Sequence, residues 1–208
     1  AGASKLIVSM ATVGFVAGLT IVVAYQVTLK KIQQNKAEAL QEAVFRVVPG
    51  AKKVVPFSKG PDGRLVKGET KGAETFHACY DDGGEFVGVA IEAQGQGFQD
   101  TISVIYGYSP RTERIVGFEV LASKETPGLG DKIDSDKRFK ENFQKLDVSV
   151  GADGKAKHPV KLAKYGEKTQ EWELEAITGA TVSSRAVEKI LKASTAVAVP
   201  LIRDSLPA

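Results

Sequence analysis

The sequence predicts an α+β protein in which one N-terminal transmembrane helix precedes a domain with an antiparallel-rich sheet and flanking helices. Three observations predict it. The run from Leu6 to Leu29 carries no charged residue. The strand-like runs TFHACYD, EFVGVAIEA, TISVIYGYSP and RIVGFEVLAS then succeed one another, separated by turn residues rather than by helices. Helix-compatible stretches stand before and after this block, which argues an α+β domain and not alternating βαβ units.

The first element is justified by length and flanks. At about 1.5 Å rise per residue, a helix from Leu6 to Leu29 covers a hydrocarbon core of about 30 Å. Lys5 bounds it on one side and Lys30 and Lys31 on the other. A cleaved signal peptide is the alternative, but its apolar region is shorter, about 7–15 residues. Ala11, Gly14, Ala17, Gly18 and Ala24 suit close packing against other membrane helices. Lys5 before the span is outnumbered by Lys30, Lys31 and Lys36 after it, so the local count alone places the domain in the cytoplasm.

Residues 31–49 continue as an amphipathic connecting helix, with Ile32, Ala39, Leu40, Ala43, Val44 and Val47 spaced for one face and Pro49-Gly50 ending it. The organisation expected is therefore 1–30 anchor, 31–49 connecting helix and 50–208 domain. Within the domain, residues 51–75 suit turns and edge strands, and Gly83-Gly84 and Ser109-Pro110 punctuate the strand runs. A charged helical stretch is expected over 134–146 and a helix from about Ser183 to Leu201.

Composition narrows the chemistry. The 28 basic and 25 acidic residues leave a net charge of +3 with no clustered basic face for nucleic acid. Cys79 is the single cysteine, so neither an intrachain disulfide, a Cys-x-x-Cys pair nor an iron–sulfur cluster can form. His77 and His158 have no second ligand at metal spacing and read as structural or surface residues. No G-x-S-x-G and no G-x-G-x-x-G occurs, so neither a nucleophile elbow nor a dinucleotide fingerprint is present. Redox chemistry, if any, requires an organic cofactor.

Three stretches carry candidate chemistry. Thr178-Gly179-Ala180-Thr181 precedes a helix whose first N–H groups and dipole favour an anion, although the same residues also serve as a plain helix start. Glu125-Thr126-Pro127-Gly128-Leu129-Gly130 forms a defined loop after a strand. Gly95-Gln96-Gly97-Phe98-Gln99-Asp100 is a glycine-bearing turn.

In this order and behind one anchor, GQGFQDTISVIYGYSP, ETPGLGDKI and ITGATVSS resemble the FMN-binding domain family. That family includes the G subunit of the Rnf complex and the C subunit of the sodium-pumping NADH:quinone oxidoreductase. The resemblance implies an FMN-binding domain carrying FMN in phosphoester linkage to Thr181, attached by a flavin transferase that uses FAD. Thr178, Gly179, Ala180 and Ser184 would surround the attachment point. Glu125, Thr126 and Leu129 would lie beside the flavin, with no metal required. Where the family commonly carries an aspartate ahead of the modified threonine, this chain has Glu175.

ETPGLGDKI and the modest length look more like the Rnf subunit. The resemblance therefore implies an electron-transfer subunit of an ion-translocating ferredoxin:NAD oxidoreductase, with other membrane subunits as partners and little activity alone. Alternatives are the quinone-reductase C subunit and an anchored ligand-binding module without redox turnover. The family places this domain on the outer face of the cytoplasmic membrane, and that implication is followed over the lysine count.

Overall fold

The computed structural model of the chain describes residues 2–60, 64–68 and 74–206. It divides into two units, Ala1–Gln41 and Glu42–Ala208.

The first unit lies within a single helix, α1, which spans Gly2–Val47 and ends in the second unit. Its apolar stretch is long enough to cross a membrane, and none of that stretch is buried. The side chains from Leu6 through Val27 stand exposed, Met10 and Phe15 among them. Thr12, Thr20 and Thr28 each donate their hydroxyl to the carbonyl one turn back, at 2.8 Å. Their polarity is thus satisfied without water, as hydrocarbon demands.

The second unit is built on a seven-stranded sheet in the order β2-β1-β3-β4-β5-β6-β7, antiparallel throughout. The strands are β1 (Lys53–Lys59), β2 (Leu65–Lys67), β3 (Thr75–Tyr80), β4 (Phe86–Gln96), β5 (Thr101–Ser109), β6 (Arg114–Ala122) and β7 (Leu146–Asp147). A small parallel pair, β8 (Lys161–Ala163) with β9 (Glu173–Glu175), leads into the last helix. The period-2 pattern puts Phe76, Val89, Ile91, Val104, Tyr106, Tyr108 and Phe118 on one face. There they meet Ile190, Leu191 and Val199 of α4 (Thr181–Ser205) and the aromatic pair Phe139 and Phe143. Phe118 stacks on Phe143 with ring centroids 4.1 Å apart. The Tyr106 hydroxyl, buried on this face, is satisfied by Ser194 at 2.7 Å.

The opposite face is flattened by small residues. Ala90 pairs with Gly107, and Gly107 with Gly117, across three adjacent strands. The end of α1 lies on this floor: a Cβ on Gly107 would stand 1.9 Å from the Val47 carbonyl oxygen, and one on Gly117 2.3 Å from it. Ala43, Val44, Val47 and Val48 are consequently buried. The compact unit begins at Glu42 and so includes this end of α1.

The charged stretch expected as one helix is broken into α2 (Lys132–Ser135), α3 (Lys137–Glu141) and a 3₁₀ turn over Asn142–Gln144. The break has a local cause. Asp136 takes an extended conformation and caps α3 by accepting from the Phe139 N–H at 2.9 Å. The final helix starts at Thr181, earlier than expected, and runs through Pro200 to Ser205.

Candidate functional site

Three segments distant in sequence meet at the start of α4: the β4–β5 connection, the loop after β6 and the Thr178–Thr181 turn. Each conformation follows from its residues. In the loop, the Leu129 N–H donates to the Thr126 carbonyl at 3.1 Å, with Pro127 and then Gly128 at φ +77° between them. That is the Pro-Gly arrangement a type II turn requires. The same solution recurs at Ile177-Thr178-Gly179-Ala180, where the Ala180 N–H donates to Ile177 at 3.1 Å and Gly179 adopts φ +82°. A side chain at Gly179 would have open space but a disfavoured backbone.

Thr181 is the first residue of α4 and is exposed, as are Thr178, Gly179 and Val182. Ala180 at the N-cap has no side chain with which to cap the helix. The first N–H groups of an α-helix have no intrahelical partner, so this start leaves donors and the positive dipole end beside the Thr181 hydroxyl. An uncapped start beside an exposed hydroxyl fits a phosphate group. Ser184, expected around the attachment point, faces inward instead. It is fully buried, accepts from the Ile177 N–H at 3.1 Å and donates to the Ala180 carbonyl at 2.9 Å. Its hydroxyl shapes the turn from within.

The loop after β6 grips the β4–β5 connection with three consecutive residues. Lys124 pairs with Asp100, and that hydrogen bond holds the aspartate's carboxyl below the ordinary range. Glu125, buried, accepts from the Phe98 and Gln99 N–H groups at 2.8 and 3.0 Å with Oε1, and from the Ser183 hydroxyl with Oε2. Thr126, half-buried, accepts from the Gln99 side-chain amide at 3.2 Å. Leu129, Phe98 and Val182 stand out from these three segments, 52%, 65% and 58% exposed. Each of the three segments thus presents one exposed apolar side chain.

On the other side of Thr178 lies a cavity of about 520 Å³ lined by Arg138, Phe139, Asn142, Tyr165, Glu175 and Ile177, among others. Glu175 is not free within it. Its carboxylate takes the Arg138 guanidinium at 2.8 Å and accepts from the Gly166 N–H, while Arg138 also lies over the Tyr165 ring at 4.2 Å. The Asn142 side chain joins the cluster by accepting from the Glu175 N–H at 3.0 Å and from Lys168 at 3.1 Å. Sequence reasoning did not assign Ser183, Phe98, Gln99 or Arg138 to the site. The only signal for the first was the second hydroxyl in VSS, and for Phe98 an aromatic residue at the tip of a glycine-bearing turn.

Residues 97–196 match the family described as an FMN-binding domain. The G subunit of the ion-translocating oxidoreductase complex of Methanosarcina acetivorans is 29% identical over 184 residues, covering 88% of this chain and 88% of that protein. Its counterpart in Vibrio atlanticus is 30% identical over 176 residues, covering 83% of this chain and 78% of that protein. Among solved structures, the C subunit of the Na(+)-translocating NADH-quinone reductase from Parabacteroides distasonis shares the fold. It superposes with a TM-score of 0.60 at 18% identity, covering 81% of this chain and 94% of that one. The chain belongs to the family of G subunits of ion-translocating oxidoreductase complexes and carries an FMN-binding domain.

Proposed function

We propose that this chain is the membrane-anchored flavoprotein subunit of an Rnf-type ferredoxin:NAD oxidoreductase complex, relaying electrons through FMN held by a phosphoester to Thr181. The observation that carries the reading is the exposed Thr181 hydroxyl at the start of α4, where Ala180 provides no cap. When bound, FMN supplies one- and two-electron transfer that no side chain of this sequence can. Thr181 provides the ester oxygen. The first N–H groups of α4 face the phosphate, and Gly179 and Ala180 allow close approach. Thr126 and Leu129 orient the ring end, and Thr178 borders the attachment point. The attachment is made by a flavin transferase during maturation.

The exposed, uncharged stretch of α1 supports a single membrane span. We assign the flavin domain to the outer face of a bacterial or archaeal cytoplasmic membrane, on the family resemblance. The partners are the other subunits of the complex, and the chain alone would turn over little. The reading favours the Rnf-type G subunit over the quinone-reductase C subunit because the G-subunit relatives reach 30% identity, whereas the quinone-reductase structure supports the fold alone. The experiment is reconstitution. Membranes whose own G subunit is deleted should regain ferredoxin-dependent NAD reduction with this chain and fail to regain it with Thr181→Ala. Equal recovery by both would refute the relay.

A further inference from the structure

We infer that Glu125 is a positioning residue that latches the three segments of the site together and acts on the flavin without touching it. This rests on the flavin reading of the site given above.

Glu125 is 5% exposed, and every polar contact the structure gives its carboxylate is internal: the Phe98 and Gln99 N–H groups at one oxygen and the Ser183 hydroxyl at the other. It therefore joins the β4–β5 connection to the first turn of α4, two residues beyond Thr181, with Glu125 and Ser183 separated by 58 residues in sequence. Two glycines make room for it. A Cβ on Gly97 would stand 2.6 Å from Oε1, and one on Gly130 2.5 Å from Oε2 and 2.6 Å from the Ser183 hydroxyl. A side chain at either glycine would displace the carboxylate from these contacts.

The turn is closed by the Gly97 N–H on the Asp100 carbonyl at 2.9 Å, Lys124 and Thr126 hold the Asp100 and Gln99 side chains, and Glu125 takes the two backbone N–H groups at its tip. Phe98 and Gln99 are exposed, and neither residue type favours the left-handed conformations of the tightest hairpin turns. Their N–H groups are instead collected by one anion, a charge-assisted arrangement about twice as strong as a neutral one. Fixing Phe98, Leu129 and Val182 relative to Thr181 fixes the apolar rim against which the ring of a group tethered there would rest. The latch would thus set the environment of the flavin while leaving its attachment to Thr181 alone.

The test compares full-length wild type, Glu125→Gln, Glu125→Ala and Ser183→Ala, each produced with the flavin transferase. Three quantities are read: the mass of the Thr181 peptide, the visible absorption and midpoint potential of the flavin, and hydrogen exchange at the Phe98 and Gln99 amides. Glu125→Ala should keep the flavin on Thr181 while its absorption and potential move and both amides lose at least tenfold in protection. Glu125→Gln keeps the length and the acceptor oxygen and should restore most of both properties. Ser183→Ala should shift the flavin in the same direction by less.

Native absorption, potential and amide protection in a folded Glu125→Ala would overturn the latch, as would a Gln variant no better than Ala. Should the Ala variant not fold, unchanged flavin properties and protection in both other variants refute it equally. If wild type takes up no flavin, the flavin reading of Thr181 fails, and amide protection alone then decides whether Glu125 holds the tip.

Discussion

Replacing Gly107 by alanine probes the contact through which the end of α1 joins the domain. The added methyl would stand 1.9 Å from the Val47 carbonyl oxygen, 2.7 Å from its carbon and 3.1 Å from a Val48 methyl. A carbon and a carbonyl oxygen approach to about 3.3 Å, so the helix end must retreat by more than about 1 Å. Most of the conflict is with backbone, so no side-chain rotation relieves it. Overpacking costs about 1–3 kcal/mol where side chains can yield, and this site belongs at or above the upper end.

The ceiling is the cost of releasing the helix end altogether. Val44, Val47 and Val48, 2%, 0% and 1% exposed, are each worth about 1.5–3 kcal/mol buried, so complete release costs about 5 kcal/mol or more. We expect Gly107→Ala to destabilise by about 3–5 kcal/mol, read by urea unfolding of a chain beginning at Glu42. Gly83→Ala, whose methyl meets only the Asp81 side chain at 3.3 Å, is the control and should shift the midpoint little. A chain beginning at Ala51 should lose about as much as full release. Equal midpoints for the Gly107 and Gly83 variants would refute the contact.

Other outcomes rest on the same geometry. Thr126→Ala and Leu129→Ala should each leave the flavin on Thr181 yet change its spectrum or potential; a net hydrogen bond of about 1 kcal/mol is ample for the first. Burial raises the Cys79 thiol to about 11. It stays neutral in the folded protein while the unfolded chain ionises above about pH 8.5, so stability falls as pH rises from there towards 11. Cys79→Ala should remove that part of the slope in urea titrations run across the window. Arg138→Ala breaks a pair whose cation is half exposed, so it should lower the thermal unfolding midpoint only slightly.

Much of this architecture is legible in the sequence because periodicity and punctuation are local. The four alternating runs became β3 to β6 in the order expected, and the uncharged run became the exposed part of α1. Elements that depend on tertiary pairing were not legible. β7 and β8–β9 are only two or three residues long, too short for any period, and owe their existence to neighbours. Gly107 and Gly117 lie in ordinary strand runs, and only the fold reveals that a helix end occupies the space of their missing side chains. At the site, the TGAT and ETPGLG stretches could be picked out from the order of the motifs, whereas the start of α4 at Thr181, two residues ahead of the expected Ser183, could not. That Glu125 reaches Ser183 while Ser184 turns inward depends on helix phase, set one residue at a time at the start of α4.

The central claim is that Thr181 carries the flavin, and peptide mass mapping tests it most directly. Protein produced with the flavin transferase should give one FMN adduct, on the peptide containing Thr181, surviving denaturation and absent from Thr181→Ala. An unmodified Thr181 peptide from correctly folded protein, or an adduct that persists in the alanine variant, would contradict it.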